Sequence, residues 1–403
     1  MSAAIAITGL GAAAANGGTA EELWKACAAG VSGVDRLDHL DTNGLPLDFG
    51  AAVRRIELGP LVSRRDELVY DRSQLYAVAC AAAALRDAGH HGYAANRLGA
   101  VIGTGAGPVD AHAAASAARR PVDVSAYYPA AGTVSLVASL PAIRLGLRGP
   151  VFAVSGACAT AAYNVVCALQ LLEADDADLV LAGAVDLALS RATLAAFANM
   201  RALATGPDPA GACRPLDRDR CGLVFGEGAA VFALERLADA RRRGAPVRAV
   251  VRGYGLSSDA GSILAADRDG IARALRSALE RAEIAPSDVD HVNLHAAGTR
   301  QGDLAEAEAL HEVLGEAAAR IPVTAAKSML GHAMGAAAGL ELLLTVRTLE
   351  TGIVPPTRNL EHPDPAINLS ASPRPRRTDP RIAVKTASGL GGLNAALVLE
   401  RQA

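Results

Sequence analysis

Short apolar runs recur along the chain and alternate with longer alanine-rich segments of helical character. This alternation is typical of α/β proteins whose strands are largely buried. Each half of the chain carries five such runs, which suggests a repeated α/β unit. The predicted strands are 4–8, 100–103, 151–154, 179–182, 229–234, 247–254, 289–294, 321–324, 381–386 and 395–399.

A charged segment with glycine and proline, 238–246, separates the two groups of apolar runs. We therefore divide the chain into an N-terminal half, residues 1–240, and a C-terminal half, residues 241–403. The first run is followed by Gly9-Leu10-Gly11-Ala12-Ala13-Ala14, which fits a dinucleotide-binding pattern. That pattern also needs an acidic residue after a second strand, and Asp35 lies in a polar loop instead. Turn glycines are the simpler interpretation.

Composition narrows the function further. The 403 residues are 51% hydrophobic, only 3% aromatic and carry a net charge of −3, which argues against nucleic-acid binding. No apolar run is long enough to span a bilayer. The six cysteines form no CxxC pair, as expected for a reduced, intracellular protein. The N-terminus lacks the basic lead of a signal peptide, so we expect a cytoplasmic protein.

The most informative residue is Cys158. It follows the apolar run 151–154 and the small residues Ser155-Gly156-Ala157, and it precedes the helix-like run 161–170. This order predicts a strand, a tight turn and a helix. A thiol at a helix N-terminus meets unpaired N–H groups and a dipole that favour the thiolate. Cys158 is therefore a candidate nucleophile.

Three further segments extend this candidate site. His295 ends a predicted strand, and His332 lies in a glycine-rich turn before a small-residue helix that carries Glu341. The third segment, Ala387-Ser388-Gly389-Leu390-Gly391-Gly392-Leu393-Asn394, is a glycine loop between two strands. A thiol, two imidazoles and backbone N–H donors together form a set suited to acyl transfer.

The lysines add to this interpretation. Lys25, Lys327 and Lys385 are the only lysines in a chain that otherwise uses arginine as its cation. A lysine retained in such a chain suggests a need for a compact ammonium group.

The chain resembles the β-ketoacyl-acyl carrier protein synthases, in the elongating type II class of the thiolase superfamily. The resemblance covers nearly the whole length. It rests on blocks that match in order and spacing: Ile7-Thr8-Gly9-Leu10-Gly11, the Cys158 block, residues 214–229, the His295 block, Lys327 to His332, and Gly391-Gly392-Leu393-Asn394.

The resemblance implies an α/β thiolase fold of duplicated αβαβα layers with two five-stranded mixed sheets. It implies that Cys158 accepts the acyl chain and that His295 and His332 assist decarboxylation of a malonyl extender unit. It also implies supporting roles for Lys327, Glu341 and Thr299, an oxyanion hole formed by the N–H groups of Cys158 and Leu390, and a substrate gate at Leu390 and Gly391. No metal or other cofactor is expected, since phosphopantetheine arrives on the carrier protein.

The expected partners are an acyl carrier protein and a second subunit, in a homodimer or in a heterodimer with a subunit like a chain-length factor. Candidate carrier-protein contacts are Arg64, Arg65, Arg72 and Arg201. The alternative is that the chain is itself a non-elongating, chain-length-determining subunit. Such subunits generally lack the nucleophile, so Cys158 argues against this alternative.

Four positions depart from the family pattern. Ala297 replaces a hydroxyl residue that helps to hold the pantetheine arm, Leu390 replaces the phenylalanine gate, Leu393 replaces a threonine, and Gly156 replaces a common threonine. These changes favour a specialised synthase of secondary metabolism over a housekeeping enzyme of fatty-acid synthesis.

Overall fold

The computed structural model describes residues 4–54, 58–206 and 208–402. The first three residues, which bear on the signal-peptide prediction, lie outside this part. The strands are β1 Ile5–Ala14, β2 Asp35–Arg36, β3 Phe49–Gly50, β4 Leu98–Gly103, β5 Val151–Phe152, β6 Leu179–Asp186, β7 Gly228–Arg236, β8 Ala249–Ser258, β9 His291–Asn293, β10 Pro322–Thr324, β11 Ile353–Val354, β12 Ser370–Ala371, β13 Arg376–Arg377, β14 Ile382–Gly389 and β15 Leu393–Glu400. Each of the ten predicted runs overlaps a strand.

Helices occupy most of the segments between the strands. They are α1 Ala20–Ala28, α2 Asp66–Val69, α3 Arg72–Asp87, α4 Val109–Ala117, α5 Tyr128–Ala131, α6 Leu136–Leu145, α7 Thr160–Glu173, α8 Arg191–Asn199, α9 Pro209–Ala212, α10 Leu237–Arg242, α11 Arg268–Ala282, α12 Arg300–Leu314, α13 Lys327–Leu330 and α14 Ala337–Thr351. Within the described ranges, every helix is too short or too polar to cross a lipid bilayer. The predicted boundary between residues 240 and 241 falls inside α10.

The principal sheet has eleven strands in the order β12-β10-β9-β14-β15-β8-β1-β7-β6-β4-β5. The predicted α/β fold is observed, but the two predicted five-stranded mixed sheets are joined into one larger mixed sheet, because β1 and β8 pair across the junction of the halves. That pairing is short and antiparallel, and it joins Ile5–Ile7 to Ala249–Val251. Five strands of each half lie in the same order. In the N-terminal half the order is β5-β4-β6-β7-β1, and in the C-terminal half it is β10-β9-β14-β15-β8, so the third strand of each half lies beside the second, followed by the fourth, fifth and first.

Helices cover both faces of this sheet. The α3 and α6 helices pack on the outer face of the N-terminal half, and α11 and α12 pack on the outer face of the C-terminal half. Between the two halves, α7 and α14 share the largest apolar core with the inner faces of β1, β7, β14 and β15. Burial of this shared apolar surface holds the two halves face to face.

The first glycines do not form a turn, contrary to the prediction. Gly9 and Gly11 lie inside β1, which pairs with β7 along its length apart from one irregularity between Ile7 and Gly9. A Cβ at Gly9 would lie 2.0 Å from the Ala84 carbonyl oxygen of α3. The glycines therefore allow α3 to approach the strand closely, which is a packing role.

Candidate active site

Cys158 lies at the point where the N-terminal half turns from strand to helix. It occupies a short 3-10 turn, Ala157–Ala159, directly before α7, and only 8% of its surface is exposed. Ala157 has a φ of 49°, which is an uncommon conformation for a residue with a Cβ. The Thr160 hydroxyl braces the turn by accepting from the Gly156 N–H at 2.9 Å. The predicted strand–turn–helix placement is thus observed.

The sequence predicted that the start of the helix would favour the Cys158 thiolate, but the surroundings of the thiol favour its protonated form. Burial raises the pKa of Cys158 to about 11. The backbone N–H groups of Leu390 and of Cys158 itself, together with the charge of Lys327, act in the opposite direction on this pKa. The resting thiol is therefore protonated at neutral pH, and the surrounding N–H donors and ammonium group stabilise the sulfur when it ionises.

The loop that supplies the Leu390 N–H joins β14 to β15. Gly389 lies directly against the cysteine turn, where a Cβ would be 2.5 Å from the Gly156 carbonyl oxygen. Gly391 has a φ of 87° and its N–H donates to the Ile263 carbonyl at 2.9 Å. This hydrogen bond of Gly391 holds the loop in place. The neighbouring Leu390, which is 45% exposed, lines the adjacent cavity.

His295 follows the end of β9. Its backbone N–H and that of Ala296 donate to the two carboxylate oxygens of Glu306 on α12, both at 2.7 Å. Ala296 has a φ of 22°, so this bidentate contact fixes an uncommon turn at the strand end. The Lys327 ammonium lies 3.3 Å from His295 Nδ1, and it also donates to the His295 carbonyl oxygen.

His332 is held by backbone contacts that cross between the halves. Its N–H donates to the Val224 carbonyl at 2.7 Å, and its carbonyl accepts from Gly226 N–H at 2.9 Å. The Met334 N–H donates to His332 Nδ1 at 3.1 Å. The rings of His295 and His332 meet edge to face with centroids 5.5 Å apart.

Both imidazoles are neutral, because burial and the nearby lysine ammonium groups hold their pKa values well below the usual range. Nδ1 of each ring faces a donor, the Lys327 ammonium for His295 and the Met334 N–H for His332. A neutral imidazole that accepts at Nδ1 carries its proton on Nε2. The site therefore offers two neutral N–H donors that can stabilise a developing oxyanion.

Lys327 and Glu341 lie behind the histidines and are each 1% exposed at the side chain. Their ammonium and carboxylate groups are 2.5 Å apart. Lys327 also contacts His295 at Nδ1 and at the backbone carbonyl, so this ion pair lies directly behind the imidazole.

One cavity of about 660 Å³ contains Cys158, His295, His332, Thr299 and Leu390 in its lining. Thr299 also caps α12, where its hydroxyl oxygen accepts from Gly302 N–H at 3.2 Å. Ala297, which lacks the hydroxyl noted in the sequence, lines the same cavity.

Two buried carboxylates escaped the sequence reasoning. Glu306 lies within a helix whose sequence gives no sign of the β9 contact. Asp186 ends β6 and accepts from Thr104 Oγ1 at 2.5 Å and from Gly335 N–H at 2.6 Å. It thereby connects the loop after β4 to the loop that follows His332. The sequence marks Asp186 only as an acidic residue at the end of an apolar run, and its distant partners could not be read from that.

The predicted carrier-protein arginines do not gather at one place. Arg201 lines the cavity with Arg300, which the sequence did not single out. Arg72 forms ion pairs with Asp110 and Glu227. Arg64 and Arg65 are exposed beside α2.

Comparison with known proteins places this Cys–His–His site in a family. Residues 2–240 match the model of the "Beta-ketoacyl synthase, N-terminal domain", and residues 248–361 match that of the corresponding C-terminal domain. The chain therefore belongs to the β-ketoacyl synthase family.

Similar proteins cover the whole chain. A Vibrio cholerae 3-oxoacyl-[acyl-carrier-protein] synthase 2 is 34% identical over 98% of this chain and 99% of its own length. Nodulation protein E of a Rhizobium species is 35% identical over 100% of both chains. A solved structure titled "The ishigamide ketosynthase/chain length factor" matches with a TM-score of 0.93 and 31% identity over 100% of both chains. Another, of a type II acyl-carrier protein in complex with its ketosynthase, matches with a TM-score of 0.92 and 26% identity over the same extent.

Proposed function

We propose that the chain catalyses the decarboxylative Claisen condensation of a Cys158-bound acyl group with malonyl-acyl carrier protein, in fatty-acid or polyketide synthesis. It is an acyltransferase of the β-ketoacyl synthase type. The observation that carries the proposal is the single cavity shared by the Cys158 thiol, His295 and His332.

In the first step, the Cys158 sulfur attacks the thioester of an acyl carrier protein. The S–C bond to Cys158 forms, the bond to the pantetheine sulfur breaks, and the carrier thiol leaves with the proton. The N–H groups of Cys158 and Leu390, which already lie at the sulfur, are proposed to hold the thioester oxygen in this step.

In the second step, malonyl-acyl carrier protein enters the emptied cavity. The bond to its carboxylate breaks, carbon dioxide leaves, and the electron pair passes to an enolate oxygen held by the Nε2–H groups of His295 and His332. The enolate carbon then attacks the Cys158 thioester and releases the sulfur as a thiolate, which takes up a proton from solvent. The residues alone supply this chemistry, so the proposal includes no cofactor.

The proposed partners are an acyl carrier protein and a second subunit of the same or a related chain. Two of the similar solved structures carry titles that name an acyl-carrier protein complex and a ketosynthase/chain length factor pair. Arg201 and Arg300 at the cavity are the proposed carrier-protein contacts. The intact Cys158, His295 and His332 disfavour a purely non-elongating role.

The proposal also covers the division of the chain, its location and its acyl substrate. The repeated strand order on either side of α10 supports a duplicated unit and a division into residues 1–240 and 241–403. The six free thiols support a reducing, cytoplasmic location. The departures at Ala297 and Leu390 support a specialised acyl substrate.

The proposal is tested by intact-protein mass spectrometry with a panel of acyl carrier proteins. The native chain gains the acyl mass, and Cys158→Ala gains none. Cys221→Ser is the matched control, since Cys221 lines the same cavity and is expected to leave acylation intact. Acyl adducts on the Cys158→Ala protein would remove Cys158 as the nucleophile.

A further inference from the structure

The three lysines of the chain separate into two environments. Lys25 lies on α1 with 73% of its side chain exposed, whereas the side chains of Lys327 and Lys385 are 1% and 0% exposed. Burying an ammonium group is costly unless it is paired. Lys327 contacts His295 in the candidate active site, but the proposed mechanism gives no reason for the burial of Lys385.

Lys385 lies in the middle of β14, where it is aligned with Asn293 of β9. Its neighbours on alternate positions, Ala383 and Ala387, belong to the core between the two halves of the molecule. Because side chains alternate along a strand, Lys385 enters this same central layer. Its ammonium group reaches Glu341 Oε2 at 2.9 Å and also donates to the Thr386 carbonyl.

Glu341 is consequently shared by two cations. Its Oε1 lies 2.5 Å from the Lys327 ammonium, and its Oε2 lies 2.9 Å from that of Lys385. Lys327, Glu341 and Lys385 by themselves sum to one positive charge when both lysines are protonated, and the Glu306 carboxylate offsets only part of it from a greater distance than Glu341. In a buried region this charge is poorly screened and acts on neighbouring groups.

Several other charged or titratable groups surround this cluster. Glu306 is engaged by the backbone of His295 and Ala296 and by the Thr386 hydroxyl at 2.5 Å. Burial lowers the pKa of Lys385, while Glu341 opposes that change. The charge of Lys385 also contributes to the low pKa values of both histidines. The groups that face Lys385 are therefore Lys327, Glu341, Glu306, His295 and His332.

We propose that Lys385 is a positioning residue that holds Glu341 against Lys327 and adds the second buried positive charge that draws the carboxylate of the extender unit to the two histidines. The inference rests on the proposed condensation and adds a residue to it. Lys385 itself does not touch the substrate. Its effect passes through Glu341 and through the electrostatic potential at the histidine rings.

The sign of the pH effect follows from the charges. Protonating His295 or His332 adds a positive charge beside two lysines, so the second lysine makes that protonation harder. Replacing Lys385 by a neutral residue therefore raises both histidine pKa values. Activity depends on neutral imidazoles. When the solution is acidified, the variant therefore loses activity at a higher pH than the native protein does.

The experiment compares Lys385→Met and Lys385→Arg with the native protein, and uses Lys25→Met as the exposed-lysine control. Steady-state decarboxylation of malonyl-acyl carrier protein is followed across pH. For Lys385→Met we expect KM for the malonyl carrier to rise at least about tenfold, because a buried charge acts on the extender carboxylate through a poorly screened interior. We also expect the acid limb of the pH–activity profile, where activity falls on acidification, to move to higher pH. Lys385→Arg is expected to restore the limb, and Lys25→Met to match the native protein.

Thermal unfolding and circular dichroism establish which variants are folded, and Lys385→Gln replaces the methionine variant if that variant unfolds. A folded neutral variant with the native KM and the native acid limb overturns the role of Lys385. So does an arginine variant whose acid limb moves as far as that of the neutral one. Failure of the proposed function is a separate result, because then the native protein neither acquires an acyl group on Cys158 nor releases carbon dioxide.

Discussion

At the scale of single residues, Leu390 combines two tasks. Its backbone N–H lies at the Cys158 sulfur, and its side chain lines the cavity mouth while remaining 45% exposed. The flanking Gly389 and Gly391 fix the backbone, one by close packing and one by its positive φ. The side chain can therefore change without moving the N–H donor.

We predict that Leu390→Phe shifts acyl-chain preference towards shorter chains by at least about threefold in relative kcat/KM, since a ring fills part of the cavity mouth. The measurement is competition among acyl carrier proteins of graded chain length, read by mass spectrometry of Cys158. Leu390→Met conserves volume and serves as the control. An unchanged preference in the phenylalanine variant would exclude Leu390 as the gate.

Cys158, His295 and His332 could be identified from the sequence because each stands beside a predicted strand end or a glycine-rich turn, where local pattern reveals the backbone. Glu306 and Asp186 could not be assigned in the same way. Their roles depend on which distant N–H groups face them, and that is decided by packing between elements.

At the scale of elements, α12 acts as a clamp on the end of β9. Glu306 accepts two backbone N–H groups from the turn at His295, and Thr299 caps the same helix. The position of the His295 imidazole therefore depends on a helix that packs on the outer face of the sheet. This connection explains how an outer element can hold a residue of the central cavity.

We predict that Glu306→Gln lowers the free energy of unfolding by about 1.5–3 kcal/mol, because an amide nitrogen replaces an acceptor that faces backbone N–H groups. Decarboxylation should weaken as His295 loses its fixed backbone. Urea denaturation and malonyl decarboxylation provide the two readings. Glu308→Gln, at an exposed position of the same helix, should leave both unchanged. Equal stability of the two variants would contradict the clamp.

The elements themselves were largely predictable, since apolar runs of strand length identify buried strands. The continuation of β1 through Gly9 and Gly11 was not, because a close helix contact can require glycine as strongly as a turn can. The pairing of β1 with β8 also escaped prediction. Three residue pairs join the halves there, and hydrophobic periodicity does not specify which strand edges meet.

At the scale of the whole molecule, the eleven-stranded sheet ends at β5. Phe152 in this edge strand is 37% exposed, and Ile143 of α6, a helix that packs against β5, is 71% exposed. An uncovered edge beside exposed apolar groups is a favourable surface for symmetric pairing with a second subunit. This is where we expect the dimer contact.

We predict that Phe152→Glu converts a dimer to a monomer at micromolar concentration, because like charges would meet across the symmetric edge. Light scattering coupled to size-exclusion chromatography measures the mass. Val31→Glu, at a position 51% exposed near α1, is the matched control and should leave the mass unchanged. A dimer that persists in the Phe152 variant would place the interface elsewhere.

The hairpin of β14 and β15 has a consequence for synthesis of the protein. Ribosomes complete the N-terminal half first, and with it the turn that holds Cys158. The Leu390 N–H arrives only after the C-terminal half has been made as far as the β14–β15 turn. A nascent chain can therefore expose its thiol but lacks the second donor at the sulfur, so acyl transfer awaits the folding of both halves.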